Sequence, residues 1–119
     1  MTTILIIDDE YLIADILSFA LEDEGFLTVT AGSALRALEI LERERPDLII
    51  TDYMMPGMTG LEFAEAVKAQ DKFKTIPLML MSGAQAHLGR QRADLFVDVF
   101  SKPFEIDVVI ASVKALLTA

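Results

Sequence analysis

The stretch from residue 48 to residue 60, LIITDYMMPGMTG, is a short apolar run followed at once by an acid and a loop. A short apolar run that ends at turn residues is typical of a strand buried on both faces of a parallel sheet. Asp52 therefore lies at the predicted carboxyl end of a strand. Pro56, Gly57 and Gly60 predict a tight surface loop after it.

Similar apolar runs recur along the chain and alternate with longer amphipathic segments. The last run contains Asp98, so we expect it to be an edge strand. This alternation predicts an α/β domain, in which a five-stranded parallel sheet carries helices on both faces. The predicted strands cover residues 4–7, 26–30, 48–51, 78–81 and 97–100.

The segments between the strands have helical periodicity. Gly25 and Pro46 mark two of the predicted helix ends, and Ser33 is a predicted N-cap. The fourth segment is poorly amphipathic. The predicted helices cover residues 11–24, 34–45, 61–69, 84–93 and 105–117. Apolar residues at helical spacing are expected to face the core. In the first helix these are Leu12, Ile13, Ile16, Leu17, Ala20 and Leu21. In the second they are Ala34, Leu35, Leu38 and Leu41, and in the third Leu61, Ala64 and Val67.

Composition narrows the possible classes of function. The 119 residues are 53% hydrophobic with a mean hydropathy of +0.44, which excludes a disordered chain. The net charge of −9 disfavours direct binding to nucleic acid or to an anionic membrane surface. Cysteine is absent, so disulfides and zinc–sulfur sites are excluded. We expect one cytoplasmic domain over residues 1–119, with no targeting segment and no further module.

Polar residues follow four of the five predicted strands. Asp8, Asp9 and Glu10 follow the first, Asp52 the third, Ser82 the fourth, and Ser101, Lys102 and Pro103 the fifth. Ligands of open parallel sheets bind beyond the carboxyl ends of the strands. We therefore expect the chemistry of this protein to lie at that edge of the sheet.

Three crowded aspartates repel one another, and a divalent cation with oxygen ligands relieves this repulsion. The absence of His and Cys from the cluster favours Mg²⁺. Lys102 can pair with a carboxylate at rest and with a phosphoryl group when one arrives. The alternative, in which these residues only begin loops or cap helices, becomes less favourable because they recur at four strand ends. Pro103 indicates a fixed bend, for which a cis peptide bond is one candidate.

With these motifs in place, the chain resembles the receiver domain of bacterial two-component response regulators. The resemblance covers the chain from residue 4 to the last helix and implies a doubly wound, flavodoxin-like fold. Four motifs carry it, each at its own strand end: Asp8-Asp9, residues 52–60, Ser82-Gly83-Ala84 and Lys102-Pro103-Phe104.

The resemblance also implies roles for individual residues. Asp52 would accept a phosphoryl group from the phosphohistidine of a histidine kinase or histidine phosphotransfer protein. Asp9, Asp52 and the backbone carbonyl of Met54 would bind Mg²⁺ directly, and Asp8 mainly through water. Ser82 and Lys102 would hold phosphoryl oxygens. Such a domain is a switch that controls a downstream protein or output domain, and not a metabolic enzyme.

Four positions depart from the family pattern. Val99 stands where the last strand usually carries an aromatic residue, and Phe100 should point to the opposite face. Leu95-Phe96 replace the usual Gly-Ala before this strand, and Thr59 replaces the usual acid before Gly60. We therefore expect phosphorylation to rearrange residues 84–93 more than the last strand.

Two other classes of function fit the sequence less well. A receiver-like module that binds partners without phosphate is disfavoured because Asp8, Asp9, Asp52, Ser82 and Lys102 are all present. A phosphatase of the haloacid-dehalogenase type would carry a second acid two residues after the nucleophile, where Met54 stands. Glycine-rich nucleotide-binding loops are missing from the sequence. His87, in the weak fourth segment, is interpreted as a solvated side chain.

Overall fold

The predicted five-stranded parallel sheet is confirmed in a computed structural model, which describes residues 2–118. The strand order is β2-β1-β3-β4-β5, so the fifth strand lies at an edge, as predicted. The second and fifth strands lie one residue later than expected. The strands are β1 (Thr3–Ile7), β2 (Leu27–Ala31), β3 (Leu48–Asp52), β4 (Leu78–Ser82) and β5 (Asp98–Ser101).

Five helices connect the strands or follow them, and four begin within one residue of their predicted starts. The fourth is much shorter than predicted, with only five residues. The helices are α1 (Tyr11–Asp23), α2 (Ala34–Arg43), α3 (Gly60–Lys68), α4 (Ala86–Arg90) and α5 (Ile106–Leu117). None of the helices in residues 2–118 is long and apolar enough to cross a membrane.

The sheet divides the core into two halves, and its inner strand β1 contributes to both. Successive side chains of a strand point to opposite faces, and Ile4, Leu5, Ile6 and Ile7 are all fully buried. Leu5 and Ile7 pack in a cluster with residues of α2 and α3. Ile4 and Ile6 pack in a second cluster with residues of α1 and α5. This double burial explains why the strand is apolar throughout.

The predicted buried faces of the first two helices were partly wrong. Helix α1 buries Ala14, Leu17 and Leu21, whereas Leu12 and Ile16 are exposed. Helix α2 leaves Leu35 exposed, because Ala34, Ala37, Ile40 and Leu41 cover the sheet instead. A sheet covers only one stripe of a helix, and these helices carry apolar residues on more than one side.

Side-chain caps fix the start of two helices. Ser33 accepts a hydrogen bond from the Arg36 N–H over 3.1 Å, as predicted for an N-cap. Thr59 and Glu62 form a reciprocal capping box at the start of α3, in which each side chain accepts from the other's backbone N–H. The capping box ends the loop that follows Asp52.

Strand β5 presents its two apolar side chains to different halves of the core. Phe100 is buried in the cluster with α1 and α5, which confirms that it points away from the face of Val99. Val99 packs against the other cluster. The Lys102–Pro103 peptide bond directly after the strand is cis.

Candidate functional site

The carboxyl ends of β1 and β3 bring three aspartates together. Asp8, Asp9 and Asp52 each offer one carboxylate oxygen, and these oxygens lie within 4.8 Å of one another. Asp8 and Asp52 are buried, and Asp9 is exposed. The predicted convergence of these residues at one edge of the sheet is therefore confirmed.

Lys102 reaches this cluster from the end of β5. Its Nζ lies 2.9 Å from Asp52 Oδ1 and 3.7 Å from Asp8 Oδ2. The Glu10 carboxylate is 3.9 Å away on the exposed side. Lys102 Nζ is thus the cation that partly balances the buried acids.

Burial sets the charge state of the site. It raises the pKa of Asp8 to about 6, against a favourable backbone hydrogen bond from the Glu10 N–H. Burial also raises the pKa of Asp52, although Lys102 opposes this change. Burial alone would lower the pKa of Lys102, but the hydrogen bond to Asp52 and the neighbouring carboxylates raise it. Burial therefore favours the neutral acid form of both Asp8 and Asp52, and Lys102 offsets this only in part.

Two polar atoms of the site are buried without a hydrogen-bond partner among residues 2–118. They are the Ser82 Oγ and the Asp8 Oδ2, which has only the longer ion pair with Lys102. Unsatisfied buried polar groups are rare and costly. Two such atoms in one site are therefore consistent with a site that binds a polar group or an ion.

The loop after Asp52 closes tightly through Gly60. The Gly60 N–H donates to the Tyr53 carbonyl over 2.8 Å. A Cβ atom at position 60 would overlap the backbone carbonyl oxygen of Asp52 and approach a Leu80 methyl group. Gly60 therefore sets the path of the backbone that carries Asp52. Met54 lies in the same loop with an exposed side chain.

We expect Gly60→Ala to lower the free energy of unfolding by about 3 kcal/mol, the upper part of the range for overpacking, because the obstructing atom belongs to the backbone. Urea unfolding measures the change. Gly32→Ala is the matched control, since a Cβ there meets no atom within 4 Å. Equal stability of the two variants would contradict the prediction.

An exposed apolar surface adjoins the acidic cluster, and the sequence pattern did not predict it. Tyr11, Leu12, Ile16 and Phe19 on α1 are exposed, and Leu12 is 77% accessible. Ile16 also lines a groove of about 560 Å³, which reaches Lys102 and Pro103. We call Tyr11, Leu12, Ile16 and Phe19 the α1 stripe.

Comparison with known proteins agrees with the fold. Residues 4–114 match the family model for the response regulator receiver domain. The chain belongs to this family. It is a receiver domain of two-component regulatory systems. Receiver domains are phosphorylatable signalling switches.

Among curated relatives, the sporulation initiation phosphotransferase F of Bacillus subtilis is 35% identical over 114 residues, which cover 96% of this chain and 92% of the relative. The phosphate regulon transcriptional regulatory protein PhoB of Escherichia coli is 32% identical over 119 residues. That match covers 96% of this chain but only 51% of PhoB.

Solved structures share the whole fold. The chemotaxis response regulator CheY4 of Vibrio cholerae superposes with a TM-score of 0.89 at 30% identity, covering 98% of this chain and 99% of CheY4. The response regulator TrrA of Thermotoga maritima, solved in complex with Mg²⁺ and BeF, has a TM-score of 0.86 and 32% identity. The superposition covers 98% of this chain and 100% of TrrA.

Proposed function

We propose that Asp52 accepts a phosphoryl group from a phosphohistidine and that this reaction sets the state of the domain. The observation that carries the proposal is the buried Asp52 carboxylate, 2.9 Å from Lys102 Nζ and grouped with Asp8 and Asp9. Family membership agrees with this chemistry. The chain's own residues would assist only this gain and loss of phosphate, so we do not assign it a metabolic reaction.

The transfer would be a displacement at phosphorus. An Asp52 carboxylate oxygen attacks the phosphorus, the P–N bond breaks, and its electron pair stays on the ring nitrogen. The donor histidine, protonated on its other ring nitrogen, leaves as a neutral imidazole. Asp52 becomes an acyl phosphate. Lys102 would turn from the carboxylate to a phosphoryl oxygen. The unpartnered Ser82 hydroxyl would donate to another phosphoryl oxygen.

The donor set fits Mg²⁺. The cluster offers carboxylate oxygens without nitrogen or sulfur, and Asp8 Oδ2 is a buried oxygen with no hydrogen-bond donor. Asp9, Asp52 and the Met54 carbonyl are proposed as direct ligands, with Asp8 bound through water. When bound, Mg²⁺ would neutralise negative charge on the phosphoryl oxygens.

Phosphorylation should therefore require Mg²⁺. Incubation with a small acyl phosphate and Mg²⁺ should add the mass of one phosphoryl group, and excess chelator should prevent it. We expect Asp8→Ala to weaken Mg²⁺ binding about tenfold, which is typical of a residue that contacts the metal through a bound water. Asp9→Ala should weaken it further, because Asp9 is proposed as a direct ligand. Calorimetric titration measures the affinities.

The exposed Asp71, which pairs with Lys74, supplies the control variant Asp71→Ala. Equal phosphorylation in excess chelator would rule out the metal role. A wild-type chain that gains no mass under any of these conditions would favour a module that binds partners without phosphate.

The α1 stripe is the proposed docking surface for the phosphohistidine protein. It continues the rim of the acceptor site, through the groove that joins Ile16 to Lys102. Helix α1 carries Asp15, Glu22 and Asp23 but no Lys or Arg. A helical partner with an apolar seam and basic flanks complements this surface.

Replacing Leu12 and Phe19 together with alanine should slow transfer from a phosphohistidine protein at least tenfold, because each is an exposed anchor of the contact. Labelling by a small acyl phosphate should not change, since that donor needs no docking surface. Time courses with both donors measure the two rates.

The matched control replaces Val97 and Val108, which are exposed elsewhere on the domain, with alanine. The phosphohistidine protein is one that labels the wild-type chain. Equal slowing with both donors would place the effect on the chemistry, and unchanged rates with both would place docking elsewhere.

A further inference from the structure

Helix α4 is held on the sheet by unusually small side chains. Its buried residues are Ala86 and Gly89. A Cβ atom at Gly89 would overlap a Leu80 methyl group and lie 3.2 Å from a Val99 methyl group. The helix therefore lies close to β4 and β5, but its one large apolar side chain, Leu88, is only half-buried. Segments with few buried apolar contacts open at low free energy.

The face of the sheet beneath α4 also carries Ser82. Leu80 pairs with Val99 and Ser82 pairs with Ser101 in the parallel register of β4 and β5. Residues two apart on a strand share a face, so all four side chains belong to one face. The buried hydroxyl of Ser82 thus lies on the side of the sheet that α4 covers.

One side-chain hydrogen bond joins α4 to this face within residues 2–118. Arg90 Nη2 donates to Ser101 Oγ over 2.7 Å. His87 bonds only to the Ala84 carbonyl, in its own segment. Arg92, in the following turn, forms ion pairs with Glu65 and Asp94.

Ser101 lies next to the part of the site that would respond to phosphate. It directly precedes Lys102, whose backbone N–H donates to the Ser82 carbonyl over 2.8 Å. Movement of the Lys102 and Ser82 side chains toward a phosphoryl group would therefore act on the strand end that carries Ser101. Val99 is small, so the strand has no large side chain here to transmit the movement.

We propose that the Arg90–Ser101 hydrogen bond is a latch that holds α4 in the resting position, and that phosphorylation opens it. The close contact at Gly89 allows the helix to lie near enough for Arg90 to reach Ser101. The opening step rests on the proposed phosphorylation of Asp52, whereas the closed latch does not.

The closed latch is tested in the unphosphorylated chain by amide hydrogen exchange of residues 84–93. Arg90→Gln and Ser101→Ala should each speed this exchange about three- to tenfold, the size expected for loss of one such bond. The double variant should exchange no faster than the single variants, because both remove the same contact. Arg36→Gln, which removes an exposed ion pair on α2, should have no effect. Unchanged exchange in both single variants would overturn the proposal.

The opening step is tested with Mg²⁺ and beryllium fluoride as the phosphoryl mimic. In the wild-type chain the mimic should raise exchange of residues 84–93 to the level of the latch variants, and it should add little in those variants. If the mimic binds but these residues stay protected, phosphorylation does not open the latch and the proposal is wrong. If the mimic does not bind at all, the proposed function fails, and so does the opening step.

Discussion

Asp52→Asn should reduce phosphoryl incorporation to background, with either a phosphohistidine protein or a small acyl phosphate as donor. The amide has nearly the shape of the carboxylate but is not a comparable nucleophile. Because burial raises the pKa of Asp52, loss of its charge should leave the fold intact and its thermal stability equal or higher. Intact mass spectrometry and thermal unfolding provide the two measurements.

Asp71→Asn is the control for this variant, because it makes the same chemical change at an exposed pair with Lys74. It should be labelled at the wild-type rate. Full labelling of Asp52→Asn would contradict the assignment of the acceptor, and peptide mapping would then show whether Asp8 or Asp9 had taken its place.

The free energy of unfolding should fall as pH rises from about 4 to about 7 in metal-free buffer. Asp8 has a pKa of about 6 in the folded chain against an ordinary value of 3.8, so the folded chain binds the proton more tightly. This contribution to stability is complete below pH 4 and is lost as the pH passes 6. A difference of this size between the folded and unfolded pKa corresponds to about 3 kcal/mol.

Asp8→Asn should remove most of this dependence. The variant should be more stable than the wild type by about 2 to 3 kcal/mol at pH 7.5 and no more stable at pH 4. Its amide oxygen still accepts from the Glu10 N–H, as Asp8 Oδ1 does. Urea unfolding at the two pH values measures the difference. A wild-type chain whose stability rises over this pH range would show that Asp8 is not the controlling group.

The sheet and the acidic cluster could be predicted because each rests on a local pattern. The apolar runs, including Ile4–Ile7, lie on strands buried on both faces, and parallel strands bring their carboxyl ends to one edge. This is why Asp8, Asp9 and Asp52 were expected together. The Thr59–Glu62 capping box was also readable, as a Thr-x-x-Glu pattern before an apolar helix, but it was missed.

Other features depend on packing that no local pattern records. Helix α1 has apolar residues around most of its surface, so periodicity could not decide that Leu17 faces the sheet and Leu12 faces solvent. The Arg90–Ser101 bond joins residues whose contact depends on how α4 lies across β5. The clash that excludes a side chain at Gly60 likewise arises only when the loop closes on Asp52.

The division of the core into two halves has an evolutionary consequence. Helix α1, which carries the proposed docking surface, packs in the half that contains Phe100, whereas Val99 and the face under α4 belong to the other half. Substitutions without shared neighbours usually have additive effects on stability. A lineage of such domains could therefore acquire a new phosphate donor through changes in α1 while the packing beneath α4 is inherited unchanged.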